Sequence, residues 1–76
     1  MKIHLKLLAL TKKADQLLNC DGLRVGQSYV AALYAVDRAL YKELMLKKDK
    51  MEIDPFYEDE FLGNFLKFCV DYWSKE

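Results

Sequence analysis

Few side chains in this 76-residue chain could do chemistry: one histidine, His4, two cysteines, Cys20 and Cys69, and two serines, Ser28 and Ser74. A transition-metal site needs three or four Cys, His or carboxylate donors at turn or helical spacing. His4, Cys20 and Cys69 are scattered, with no C-x-x-C or H-x-x-x-H pairing among them. Neither serine sits in the strand-turn-helix context of a nucleophile elbow. Gly22 and Gly26 are not followed by the glycine-lysine signature that cradles phosphates. Glu58 and Glu60 form a carboxylate pair, which can in principle bind a cation or act as acid and base. At the start of a helix such a pair is better explained as a solvated terminus that the helix dipole favours. The sequence therefore predicts no enzyme, no metal and no cofactor. Two cysteines do not make a disulfide scaffold, and both are expected to be small buried hydrophobes within apolar periodic patterns.

The elements that carry these residues are helical. In the first segment Ile3, Leu7, Leu10, Ala14 and Leu17 recur at the spacing of one helix face, widened by Leu5, Leu8 and Leu18. Lys2 to Leu7 also alternates as a strand would, but the chain offers no good partner strand. Gly22 suits the left-handed position that ends a helix. A glycine-bracketed loop leads to a second segment, with Ser28 as its expected N-cap. There Val30, Leu33, Leu40 and Leu44 mark one stripe, and Tyr34, Tyr41 and Met45 mark a second. Ala31, Ala35 and Ala39 mark a third, and residues 29–36 carry no charge at all. After a charged connection, Asp54-Pro55 reads as an N-cap followed by proline at the first helical position. Phe61, Phe65, Phe68 and Tyr72 then run beside Leu62, Leu66, Cys69 and Trp73. The predicted fold is all-α: a small compact three-helix bundle, helices roughly 2–20, 28–49 and 55–74, in one domain spanning 1–76.

Composition narrows the function. Twelve basic and twelve acidic residues give a formal net charge of +0, against the basic excess of a dedicated nucleic-acid binder. The charges are segregated: residues 52–60 hold Glu52, Asp54, Glu58, Asp59 and Glu60 with no cation. Hydrophobic residues make up 53% of the chain, although a domain this short buries only roughly 60% of its unfolded surface. That excess predicts apolar surface in need of cover. The longest apolar run is far short of the ~20 residues that span a membrane. With no signal-peptide pattern at the start, a cytoplasmic location is expected.

Two surfaces are predicted. Asp54, Phe56, Tyr57, Glu58, Asp59 and Glu60 mix acid with aromatic rings and are expected to dock a basic partner protein. Ala31, Tyr34, Ala35, Asp37, Arg38 and Ala39 are expected to mediate self-association as a homodimer. Asp37 interrupts a core-like series, so it lies either at the edge of the apolar face or in a polar pair with Arg24, Arg38 or a symmetry mate. The function expected is a small regulator or inhibitor that occupies another protein's surface, of a size that suits a phage or mobile-element accessory protein. The alternative is a small helical DNA-binding or nucleoid-associated transcription regulator. A helix-turn-helix is disfavoured because its recognition helix would offer base edges only Gln27 and Ser28.

Overall fold

The structure is a computed structural model that describes residues 2–56 and 58–75, without the side chains of Lys2 and Asp21. Its elements are α1 (Lys2–Asp21), α2 (Val25–Val36), α3 (Arg38–Lys47), a short 3₁₀ turn (Asp59–Phe61) and α4 (Leu62–Ser74). The all-α class holds, and no strand occurs among the described residues. The ambiguous stretch 2–7 is helical. No helix is long and apolar enough to cross a membrane among the described residues.

Among the described residues the bundle has four α-helices, not three. The expected helix over 28–49 is cut at Asp37, whose φ of −148° and ψ of 91° are extended. Asp37 is at once the C-cap of α2, its N–H donating to the Leu33 carbonyl at 2.8 Å, and the N-cap of α3, its carboxylate accepting from the Leu40 amide at 3.1 Å. A short acidic side chain that satisfies an orphan N–H stabilises such a start by about 1 kcal/mol. The start of α2 also differs. Arg24 is its N-cap, with Gln27 Oε1 accepting from the Arg24 amide at 3.3 Å. Ser28 lies buried inside the first turn, its hydroxyl donating to the Val25 carbonyl.

The third predicted helix starts late. Asp54 and Pro55 form a turn rather than a helix start, Asp54 Oδ1 accepting from the Phe56 amide two residues on at 3.0 Å. Ile53 and Pro55 are buried, which pins the connection to the bundle at those residues, and α4 begins only at Leu62. Asp59 accordingly serves a helix other than its own. Its Oδ1 accepts from the Gly26 amide at 3.1 Å, placing a negative charge at the N-terminus of α2.

The core joins Leu10 and Ala14 of α1, Val30, Ala32 and Leu33 of α2, Leu40 and Leu44 of α3, Ile53, and Phe65, Cys69 and Trp73 of α4. The expected α1 face is inside, but Leu5 and Leu8 are exposed, so the stripe is narrower than predicted. A continuous helix from 25 to 47 would be about 35 Å long. The molecule's longest extent is 33 Å. The break at Asp37 is what lets α2 and α3 both cover the same core.

Two glycines sit differently in this packing. A Cβ at Gly26 would collide with the Pro55 carbonyl oxygen and lie 2.7 Å from Asp59 Oδ1, whereas one at Gly63 would meet nothing within 4 Å. Gly26→Ala is expected to destabilise the fold by about 1–3 kcal/mol, the usual range for overpacking. Gly63→Ala, in α4, is expected to stabilise it by up to about 1 kcal/mol through helix propensity. Urea unfolding of both variants checks this, and equal midpoints would show that α2 does not press on the Pro55 turn.

Candidate functional site

A shallow, mostly apolar concavity lies where α2, α3 and the Pro55 turn meet. Two adjoining hollows, about 340 and 190 Å³, share Val30, Tyr41 and Phe56. The larger adds Ala31 and Tyr34, and the smaller adds Met45, Lys48 and Asp54. Together they form one open groove with an aromatic lining. Tyr34 and Tyr41 meet edge to face with ring centroids 5.0 Å apart, an arrangement aromatic pairs favour. The Arg38 guanidinium lies 4.6 Å from the Tyr34 centroid, a cation held against the ring at one end. At the other end Lys48 Nζ faces Asp54 Oδ2 at 3.9 Å.

The wall opposite α3 is built by long-range contacts. Arg24 donates to the Phe56 carbonyl, and Asp59 holds the Gly26 amide. Asn64 Nδ2 donates to the Glu52 carbonyl at 3.0 Å. These three bonds tie the connection between α3 and α4 to α2 and α4, and so fix where Phe56 stands.

The residues predicted for two separate surfaces are redistributed. Ala31, Tyr34, Asp54 and Phe56 converge on the groove, and Arg38 caps one end of it. Glu58 and Glu60 are exposed, whereas Asp59 is engaged with Gly26. Tyr57 lies outside the described residues. Ala35 and Ala39 are exposed but lie on different helices, because the break at Asp37 ends the alanine stripe after two members. Val30, Tyr41, Met45 and Lys48 were not predicted at the site. The Tyr34, Tyr41 and Met45 stripe was the sequence signal for Tyr41 and Met45.

Asp37 is engaged within its own chain. Its Oδ2 accepts from Trp73 Nε1 at 2.8 Å and from Lys6 Nζ at 3.4 Å, neither of which was among the expected partners. Burial pushes this carboxyl up, but the Trp73 indole, the Leu40 amide and Lys6 favour its charged form and hold it below the ordinary 3.8. The stability this carboxylate contributes is present above its unfolded pKa and is lost as pH falls through the lowered folded value.

The potentially reactive groups are apart. His4 and Cys20 are both exposed on α1, at positions about 24 Å apart along one helix. Among the described residues no group of three or more His, Cys, Asp or Glu could hold a metal ion. Cys20 is exposed, against expectation, because it falls beyond the inward face of α1. Cys69 is buried, and desolvation together with the Asp37 charge pushes its thiol up to about 12. A thiol reagent at mild alkaline pH is therefore expected to modify Cys20 promptly and Cys69 only as the fold opens, since the thiolate is the reactive species. Mass-resolved labelling distinguishes the two, and equal rates at both thiols would contradict a closed α4 core.

The chain matches no protein family model, no curated protein and no solved structure.

Proposed function

We propose that this chain is a small protein–protein interaction module, a regulator or inhibitor that works by occupying a polypeptide surface rather than by catalysis. The observation that carries this reading is the groove of Val30, Ala31, Tyr34, Tyr41, Met45 and Phe56, an apolar and aromatic lining in which Tyr34 is exposed and charge lies at the ends. Tyr34 is 47% exposed although its ring is oriented by both Tyr41 and Arg38. Pre-oriented aromatic side chains in a concave, mostly apolar surface are the usual anchors of protein contacts. Glu58 and Glu60, exposed beside the Phe56 wall, would steer an approaching cationic surface.

A DNA-binding regulator is the alternative class, and it needs cations gathered on one face. Several lysines here are committed elsewhere: Lys6 to Asp37, Lys47 to Glu43 at 3.5 Å, and Lys48 to Asp54. The groove itself offers rings and methyls, which suit a polypeptide better than a phosphate backbone.

Placing a photo-crosslinking amino acid at Tyr34 in cells that express the chain tests the reading. The expected outcome is a covalent adduct with a polypeptide, absent when the same group replaces Lys12 on the exposed side of α1. No polypeptide adduct at Tyr34, or equal adducts at both positions, would contradict a docking role for the groove.

A further inference from the structure

The charges around α2 point to what fills the groove. None of the twelve residues of α2 is charged, yet Tyr34 and Ala35 are exposed and Ala31 is half-buried. The two ends of the helix carry opposite net signs. At its N-terminal end Asp59, bonded to Gly26, and the exposed Glu58 and Glu60 outweigh the exposed N-cap Arg24. At its C-terminal end Arg38 lies over Tyr34 and exposed Lys42 follows one turn into α3, while the Asp37 carboxylate is paired with Lys6. The uncharged helix between them is about 18 Å long, beyond the roughly 8–10 Å over which salt screens exposed charges. The two ends therefore act as separate patches.

Resting on the docking role proposed above, we infer that the occupant is a second copy of this chain, with α2 packed antiparallel to its counterpart about a two-fold axis. That arrangement sets the acidic end of each α2 against the basic end of the other, and it does so twice. A parallel pairing would put like charges together at both ends. A partner of one sign would match one end and oppose the other. A two-fold contact is self-complementary: whatever one copy presents, the other receives. The formal net charge of +0 removes long-range repulsion between copies. Tyr34 and Phe56 would then supply the buried anchors, with the charged ends forming the rim.

Light scattering coupled to size exclusion tests this on the intact chain. The expected mass is about 18 kDa, twice the 8.9 kDa protomer, falling toward the protomer on dilution. Tyr34→Glu should give the protomer mass at every concentration. Leu46→Glu, at an apolar side chain 74% exposed on α3, should leave the dimer intact. Arg38→Glu should raise the dissociation constant by about tenfold, and adding Glu58→Lys and Glu60→Lys should recover most of that loss. Circular dichroism confirms that each variant remains helical. A protomer mass for the parent chain at all concentrations would overturn the inference, as would a dimer indifferent to Tyr34→Glu or charge reversals that fail to compensate. A Tyr34 photo-adduct with a different protein would also overturn it while leaving the docking role standing.

Discussion

Asp37 bonds all four described helices, α2 through its backbone N–H and α1, α3 and α4 through its carboxylate, and the rest of the structure is arranged around it. Asp37 closes α2, caps α3 through the Leu40 amide, accepts the Trp73 indole of α4 and pairs with Lys6 of α1. A half-buried carboxylate is costly unless its lone pairs are used, and here both oxygens are. Removing it would leave the Trp73 N–H, on a side chain only 2% exposed, without its acceptor. An orphaned buried donor costs about 1–3 kcal/mol, and a lost cap about 1 more. For a domain of this size that is a large share of a net stability in the range of 5–15 kcal/mol.

The break that Asp37 creates is also what opens the groove. It ends the uncharged α2 and turns the chain into α3, so that Tyr34 before the break and Tyr41 after it meet edge to face. The third wall comes from the connection to α4, tied down by Arg24, Gly26 and Asn64. The surface proposed for docking is thus assembled from three segments that only the folded chain brings together. Its apolar face would be disfavoured as bare surface.

Local patterns were legible and long-range polar contacts were not. The α1 face was readable because Ile3, Leu7, Leu10, Ala14 and Leu17 keep one period throughout, and Gly22 ends the helix with the expected positive φ of 67°. The break at Asp37 was hidden because the apolar residues on both sides of it keep helical spacing in the sequence. The Asp37 N–H still bonds the Leu33 carbonyl, its own carbonyl still accepts from the Tyr41 amide at 3.0 Å, and Val30, Leu33, Leu40 and Leu44 all reach the core. Asp54-Pro55 fits a helix start and a tight turn equally well by sequence. The burial of Ile53 and Pro55 and the Arg24 contact decide for the turn. Half of the groove was visible as the tyrosine and methionine stripe. Its other half depends on where Phe56 is held, and the groups that hold it lie across the molecule.

The dependence of this architecture on one polar contact is tested most directly by a double-mutant cycle between Asp37→Ala and Trp73→Phe, read by urea unfolding. If the carboxylate couples α2 and α3 to α4 as described, the two changes should be non-additive by about 1–3 kcal/mol, because either one alone already breaks the shared bond. Additivity within about 0.5 kcal/mol would contradict the account and reduce Asp37 to a local helix cap.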